Sequence, residues 1–449
     1  MLKPTIFREY DIRGIAEEEL LDEGIADLGR AIGTYLLRHN GPNVNLGRDC
    51  RLSSTRLRNA LLEGLKSTGC QVTDIGVVPT PLLYYSTVHL KAAGGVMITG
   101  SHNPAEYNGF KMVCGAGTIH GEEIQQLRQM IERRDFAMGE GSERSFDIET
   151  PYVDEISAQF HFERRIKVVA DAGNGTAGPA MHRIFEKLNV EYKEMFFEMD
   201  GHFPNHHPDP TVPDNLKQLV AAVKKEKADL GIAFDGDSDR IGAVDDRGAV
   251  IYGDQLMIIY AREILARKPG ATVIGEVKCS QSLYDDIRKN GGNGIMWKTG
   301  HSLIKAKMKE THAELAGEMS GHMFFADRYY GFDDALYAAC RLMEIVSKSG
   351  QKLSAQLADL PKTVTTPEIR VDCDDEQKFD VVRRVTEHFQ KIYEVIAVDG
   401  ARINFAEGWG LVRASNTQPV LVLRFEAATP ALLKKYRDEV EQAVENARA

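Results

Sequence analysis

Taken as a pattern of apolar and polar positions, the chain repeats one arrangement three times. The three stretches are "NVNLGRDCRLSSTRLRNALLEGLKSTGCQVTDIGV" from Asn43, "IKVVADAGNGTAGPAMHRIFEKLNVEYKEMFF" from Ile166 and "ATVIGEVKCSQSLYDDIRKNGGNGIMWKTG" from Ala271. Each runs as a short apolar strand, a polar loop, an amphipathic helix, a Gly or Asn stop and a second strand. That order predicts a βαβ unit, with parallel strands and a right-handed crossover. The units start more than 100 residues apart. Solenoid repeats are only ~20–50 residues long, so three related α/β domains are expected rather than a stack of repeats.

The pattern changes after Pro361. "EIRVDC", a helix over residues 376–393, "AVDGARINFAEGWGLVRASNTQPVLVLRFEAA" and a charged final helix follow one another without a βαβ rhythm. They predict a smaller α+β domain. The Gly/Ser/Glu stretch at 139–150, the "DDRG" turn at 245–248 and "DLPKTVTTPE" at 359–368 are the candidate boundaries. The expected domains are 1–146, 147–249, 250–363 and 364–449. With ~100–200 residues per domain, a chain of 449 residues fits this number.

Composition narrows the function classes. Hydrophobic residues make up 43% and charged residues 27%, as in ordinary globular protein. A net charge of −11 argues against nucleic acid as the main partner, although a locally basic cleft can still take small anions. No apolar run approaches the ~18 residues of a membrane span, and "MLKPTIFREYDIRG" lacks the apolar core of a signal peptide. The six cysteines include no C-x-x-C pair and read as reduced thiols of a cytoplasmic protein.

Two segments carry the strongest chemical signal. "GGVMITGSHNPAEYNGFK", residues 94–111, begins as a buried strand and turns polar at Ser101, which reads as a nucleophile or as a serine that carries a group. The flanking Thr99 and Asn103 exclude the Gly-x-Ser-x-Gly elbow of hydrolases. "ADLGIAFDGDSDRIGAVDD" places Asp235, Asp237 and Asp239 directly behind an apolar strand, with Arg240 next. In an extended segment, alternate side chains share a face, and three carboxylates there repel one another unless a hard divalent cation such as Mg²⁺ joins them. An EF-hand requires Gly where Arg240 stands, and an aspartate-nucleophile phosphatase requires Thr or Val where Asp239 stands. A solvated acidic turn is the remaining alternative. The three acids leave coordination positions open, which a phosphorylated Ser101 would fill if the two loops meet.

Other loops suit a polar, anionic ligand. "GEMSGH" offers Glu318 and Ser320, flanked by glycines, for hydroxyl recognition, with an ordinary capped turn as the alternative. "VRASNTQP" gathers Arg413, Ser415, Asn416 and Thr417 as an anion nest, with a plain hairpin as the alternative. Arg8 and Arg13 in "FREYDIRG", Lys278 in "EVKCS", and Lys298 and His301 in "KTGHS" recur at strand-to-loop junctions, where α/β proteins bind ligands. Two motifs compete with this reading. "GNGTAG" at 173–178 fits G-x-G-x-x-G and suggests an NAD-linked oxidoreductase. "GHFPNHHPDP" at 201–210 holds three histidines but has proline-disrupted spacing, which favours a structured loop over zinc.

Together, "FREYDIRG", "TGSHNP", "DGDSDR", "GEMSGH" and "RASNT" resemble, in order and across essentially the whole chain, the motifs of the α-D-phosphohexomutases. The resemblance is strongest to their bacterial phosphomannomutase/phosphoglucomutase branch. Phosphoglucosamine mutases, the alternative branch, usually have Gln where Met319 stands. The resemblance implies an α/β protein with four domains around a central cleft, three of them related α/β domains with mixed sheets and the fourth a smaller C-terminal α+β domain. It implies reversible movement of phosphate between the 1- and 6-positions of mannose or glucose through phosphoserine 101, with Mg²⁺ on Ser101, Asp235, Asp237 and Asp239 and glucose 1,6-bisphosphate as activator. Arg13, Lys111, Arg240 and His301 are the implied catalytic residues, with Lys111 and His301 as the acid/base candidates. Tyr10, Lys278, Glu318, Ser320, His322, Arg413, Ser415, Asn416 and Thr417 are the implied substrate contacts. Hexose phosphates, and neither nucleic acid nor membrane, are the expected partners. A monomer is the expected form, with a dimer as the alternative, and the fourth domain is expected to hinge onto substrate.

Overall fold

The computed structural model describes residues 2–416 and 418–448. The chain divides into two compact bodies, residues 1–256 with 320–356 and residues 257–319 with 357–449.

The first body contains two mixed sheets. In the first sheet the strand order is Ile12–Ile15, Tyr107–Cys114, Gly94–Ile98, Asn43–Arg48, Gln71–Val77 and Ser142–Ser145. The predicted βαβ unit is its centre: Asn43–Arg48 and Gln71–Val77 pair in parallel around the helix Ser54–Ser67. That helix lies against Asp22–His39 at close range. A Cβ added at Gly64 would collide with the Ala26 carbonyl oxygen and sit 2.9 Å from the Gly29 α-carbon. All five residues of Gly94–Ile98 are buried, and the strand runs antiparallel to Tyr107–Cys114 with Met97 opposite Lys111. Ser101 therefore sits in the loop joining two central, antiparallel strands. Residues 142–145 pair with Gln71–Val77, so part of the candidate boundary stretch at 139–150 is an edge strand of the first sheet.

The second sheet has the order Val250–Ile251, Ile241–Asp245, Leu230–Phe234, Lys167–Asp171 and Glu191–Met195. Lys167–Asp171 and Glu191–Met195 form the parallel pair of the second predicted unit, around the helix Ala177–Leu188. Leu230–Phe234 is buried at every position, as expected for a strand covered on both faces. It pairs antiparallel with Ile241–Asp245, so "DGDSDR" is the connection of a hairpin. The "DDRG" segment is a second tight turn, between Ile241–Asp245 and Val250–Ile251.

In the second body, Thr272–Glu276 pairs in parallel with Asn293–Trp297 and Leu315–Gly317, which bears out the third predicted unit. The C-terminal sheet is antiparallel, with Val420–Ala427, Gly408–Ala414 and Ala401–Phe405 at its centre. The helices Lys378–Phe389 and Pro430–Arg448 cover it, burying Phe389, Leu423, Phe425 and Val440 in one core. Elsewhere in this body Val277, Trp409 and Leu411 form a separate apolar cluster. The Arg402 guanidinium lies 3.8 Å from the Trp409 ring centroid and donates to the carbonyls of Val277 and Cys279 at 2.6 and 2.7 Å. The six cysteines form no disulfide, and among the described residues no helix is long and apolar enough to cross a membrane.

Candidate active site

The three aspartates converge by a tight turn. Extended alternation was the expectation, but the strand ends at Phe234 and the chain folds back at once. Ser238 N donates to the Asp235 carbonyl at 3.1 Å, and Ser238 adopts a φ of 64°. Asp235 Oδ1 accepts the N–H groups of Asp239 and Arg240, both at 3.1 Å. All three carboxylates are buried, and each offers an oxygen within 4.8 Å of the others. Asp237 Oδ1 is buried without a hydrogen-bond partner. A buried carboxylate oxygen left in that state fits a cation ligand, and three hard oxygens suit Mg²⁺.

Ser101 meets this cluster directly. Its hydroxyl donates to Asp235 Oδ2 at 2.8 Å and lies 3.2 Å from His102 Nδ1. Ser101 is 2% exposed and has a left-handed φ of 50°, a conformation that a non-glycine residue keeps only when its surroundings enforce it. Lys111 Nζ donates to Asp237 Oδ2 at 2.7 Å and also contacts Asp239. Arg13 pairs with Asp11 and donates to Asn103 Oδ1 at 2.9 Å. Arg240 Nε donates to His322 Nε2 at 3.3 Å, and that ring nitrogen lies 3.3 Å from Asp239 Oδ1. Ser320 Oγ lies 3.3 Å from His322 Nδ1. Thr80, at the start of the helix Thr80–His89, donates its hydroxyl to Asp237 Oδ2 at 2.6 Å and its N–H to the Asp237 carbonyl at 2.8 Å.

The electrostatics follow from this crowding. Burial, reinforced by Asp239 and Asp237, pushes the Asp235 carboxyl well above the usual range. Burial also penalises Asp239, but Lys111 and His322 outweigh it and hold that carboxyl well below the usual range. Burial opposes the Lys111 ammonium, but Asp237 and Asp239 overcome it and raise its pKa. Desolvation, with the Arg240 and Arg13 charges, pushes the His102 imidazole well below its usual pKa.

The second body gathers the other polar loops. Glu276, at the end of its strand, is fully buried, and burial raises its pKa. Its Oε2 accepts Lys278 N at 2.7 Å and Thr299 Oγ1 at 2.9 Å, and its Oε1 accepts Met319 N at 3.3 Å. Glu318 is buried and accepts Gly300 N at 2.8 Å, next to His301 at the first turn of the helix His301–Thr311. Lys278 Nζ lies 3.4 Å from Glu368, and Lys298 is exposed. Arg413 donates to Asp399 at 3.0 Å, while Ser415 and Asn416 occupy the loop after the strand Gly408–Ala414. Thr417 lies outside the described residues. Tyr10 is half-buried in the bend before the first strand.

The competing motifs have structural explanations. The glycines of "GNGTAG" accommodate close approach of the backbone. A Cβ at Gly175 would lie 2.7 Å from the Gly236 carbonyl oxygen, and Thr176 N donates to that same oxygen at 3.1 Å. The loop thus packs beneath the aspartate turn. In "GHFPNHHPDP", His202 pairs with Asp200 and His206 with Asp171, and no group of three metal-ligand side chains among the described residues includes either histidine.

Four family models match the chain in order. Those for alpha/beta/alpha domains I, II and III of phosphoglucomutase/phosphomannomutase match residues 4–138, 150–248 and 252–364, and that for the C-terminal domain matches residues 368–443. The chain belongs to the phosphoglucomutase/phosphomannomutase family. It is 47% identical over 440 residues to the phosphomannomutase/phosphoglucomutase of Pseudomonas putida, covering 97% of this chain and 95% of that protein. It is 44% identical over 446 residues to the phosphoglucomutase of Neisseria gonorrhoeae, covering 98% and 97%. The crystal structure of a phosphoglucomutase/phosphomannomutase family protein from Burkholderia thailandensis superposes with a TM-score of 0.94 at 42% identity, covering 100% of this chain and 98% of that one. In this member of the family the four-domain α/β architecture stands as expected. The sequence reading missed Asp11 and Glu276, which lie within the quoted segments "FREYDIRG" and "EVKCS", and Asp49, Arg51 and Thr80, which lie outside the motifs; all five are buried. Their only sequence signal is a charged or hydroxyl residue at, or within three residues of, a strand end.

Proposed function

We propose that the chain is a hexose-phosphate mutase that interconverts the 6- and 1-phosphates of mannose or glucose through phosphoserine 101 and a bound 1,6-bisphosphate. The observation that carries this reading is the Ser101 hydroxyl 2.8 Å from Asp235 in a three-aspartate cluster, with Lys111 on the other two carboxylates. The names of the relatives support mannose and glucose, and Met319 supports them over glucosamine.

In the proposed reaction the phosphoryl group leaves Ser101 Oγ for the free hydroxyl of a hexose monophosphate. The P–O bond to serine breaks, and a P–O bond to the sugar forms. The hydroxyl proton passes to His301 as base, and Lys111, held as an ammonium by Asp237 and Asp239, is the acid that protonates the leaving serine oxygen. The bisphosphate then reverses; its other sugar P–O bond breaks as the P–O bond to Ser101 re-forms, the serine proton returns to Lys111, and His301 gives its proton to the freed sugar oxygen. Mg²⁺ held by Asp235, Asp237, Asp239 and the serine phosphate would neutralise charge at the transferring group. Arg13 and Arg240 supply further positive charge beside Ser101. Arg413, Ser415, Asn416 and Thr417 are assigned the distal phosphate, and Tyr10, Lys278, Glu318, Ser320 and His322 the sugar and its near phosphate. Reading O3 and O4 through Glu318 and Ser320 leaves O2 loosely sensed, and mannose and glucose differ only at that position. Glucose 1,6-bisphosphate as activator, a monomeric state, a cytoplasmic location and domain limits of 1–146, 147–249, 250–363 and 364–449 complete the proposal.

The test is a coupled assay on mannose 1-phosphate, glucose 1-phosphate and glucosamine 1-phosphate with Mg²⁺ and a trace of glucose 1,6-bisphosphate. Turnover of the first two, lost in Ser101→Ala, is the expected result. Full turnover by Ser101→Ala, or a preference for the glucosamine sugar, would overturn the assignment.

A further inference from the structure

Ser101 keeps its left-handed backbone because one buried side chain outside the motifs holds the loop around it. Arg51 follows the strand Asn43–Arg48 by three residues and is 2% exposed. Its Nη2 donates to the carbonyls of Ser101 and Asn103 at 2.8 and 2.6 Å. Its Nη1 donates to the carbonyls of Pro104 and Tyr107 at 2.5 and 2.9 Å. One guanidinium therefore collects four carbonyls of the segment that leads away from Ser101.

Asp49 completes the clamp from the other side. Its Oδ2 lies 3.2 Å from Arg51 Nε and accepts Gly100 N at 3.1 Å. Its Oδ1 accepts Arg51 N at 3.0 Å and Ser54 Oγ at 2.5 Å. The Phe203 ring lies under the guanidinium, with its centroid 5.2 Å away. The residue before Ser101 is fitted to this arrangement: a Cβ at Gly100 would stand 2.5 Å from the Arg51 guanidinium carbon. A planar fork with five donors can make these contacts, whereas an ammonium can satisfy only some of them.

We propose that Arg51 is a positioning residue for phosphoryl transfer at Ser101, its guanidinium fixing the loop so that Ser101 Oγ stays on Asp235. The inference rests on the phosphoserine reading above. Arg51 spends its donors on backbone carbonyls and acts through Ser101. Its loss lets Ser101 Oγ wander, and misplacement by about 1 Å costs on the order of 10²-fold in rate.

The experiment uses the full chain with Mg²⁺ and three variants, Arg51→Lys, Arg51→Ala and Gly100→Ala. Phosphorylation of Ser101 by glucose 1,6-bisphosphate is followed by intact mass in a single turnover, beside steady-state kcat and KM. Arg51→Ala is expected to slow phosphorylation and kcat by ~30–100-fold with KM for the hexose monophosphate changed less than ~3-fold. Arg51→Lys should fall between it and wild type. Added guanidinium ion, below denaturing concentration, should restore Arg51→Ala saturably and leave Ser101→Ala inactive. Gly100→Ala should slow the same step, and in combination with Arg51→Lys should cost less than the product of the two single losses. If Arg51→Ala does not fold, Arg51→Lys and Gly100→Ala decide the matter alone. Wild-type phosphorylation rates in folded Arg51→Lys, or equal changes in kcat and KM without coupling to Gly100, would overturn the role. A wild-type protein whose Ser101 takes no phosphate from the bisphosphate would instead overturn the phosphoserine reading itself.

Discussion

Replacing Glu276 by Gln isolates one buried charge that ties three loops together. The side chains have the same shape, so the perturbation is the exchange of one oxygen for an NH₂ group. Oε2 takes the two shorter bonds, from Lys278 N at 2.7 Å and Thr299 Oγ1 at 2.9 Å. The amide oxygen should settle there, which turns the NH₂ toward Met319 N, 3.3 Å from Oε1. One acceptor is lost and a buried donor is left facing another donor, at a cost of ~1–3 kcal/mol. The two retained bonds lose their charge assistance and weaken by roughly half. Against this, burial already penalises the Glu276 carboxylate, and Gln removes that penalty. The net loss should be ~1–2 kcal/mol, a shift of a few degrees in Tm. Met319 lies between Glu318 and Ser320 in the chain, so the loosened loop is the proposed sugar loop. If ~1.4 kcal/mol of that loss appears in substrate binding, KM rises about tenfold, with kcat changed less than ~3-fold. The coupled mutase assay and a thermal melt on the same preparation give both numbers. A folded Glu276→Gln protein with KM within twofold of wild type would refute the reasoning.

Three further outcomes follow from single contacts. Thr80→Val removes the hydroxyl that donates to Asp237 Oδ2 at 2.6 Å, so Mn²⁺ affinity measured by calorimetry should weaken by ~10-fold, and an unchanged affinity would separate Thr80 from the cluster. Gly64→Ala drives a methyl into the Ala26 carbonyl at the crossing of two helices and should destabilise by ~1–3 kcal/mol in urea, while a neutral effect would mean that the helices part freely. Burial pushes the Asp334 carboxyl up to about 6, against hydrogen bonds from Tyr329, Tyr337 N and Tyr152. The folded protein therefore takes up this proton before the unfolded chain does, and the cost of the buried charge, present above pH 6, is relieved as pH falls. Wild type should gain ~1 kcal/mol on Asp334→Asn between pH 7 and pH 5 in urea melts, and a gap that stays constant or moves the other way would contradict that environment.

Strand-level pattern was legible, and backbone satisfaction in the loops was not. The three βαβ units came through because apolar strand, amphipathic helix and stop signal are local features. So did the three aspartates, because acids directly behind a fully buried strand are conspicuous in one dimension. Their geometry was misread: Ser238 with its φ of 64° folds the segment into a turn, and the side chains converge by that fold. "GNGTAG" looked like a dinucleotide loop because glycine reports only that something comes close. Here the close neighbour is the Gly236 carbonyl. Arg51 was invisible because its partners lie some 50 residues further along the chain.

Arg51 and Glu276 solve the same physical problem with opposite charge. A loop at the end of a central strand leaves carbonyl and N–H groups outside the ladder, and burying them unpaired is costly. Arg51 brings donors to a loop rich in orphan carbonyls, and Glu276 brings acceptors to loops rich in orphan N–H groups. Arg402 and Arg424 repeat the first solution, donating to the carbonyls of Val277, Lys278 and Cys279 at 2.6 to 2.7 Å. This bears on the expected swing of the C-terminal domain. A free-standing motion would strip two buried guanidiniums of their acceptors and open the contact of Trp409 with Val277. Removing the partner of a buried charge costs ~3–5 kcal/mol. A closure that keeps these bonds carries the 277–279 loop, and Lys278 with it, along with the phosphate loop at 413–416. A closure of that kind would bring the two proposed anion contacts to a substrate together, without breaking the Arg402 and Arg424 bonds.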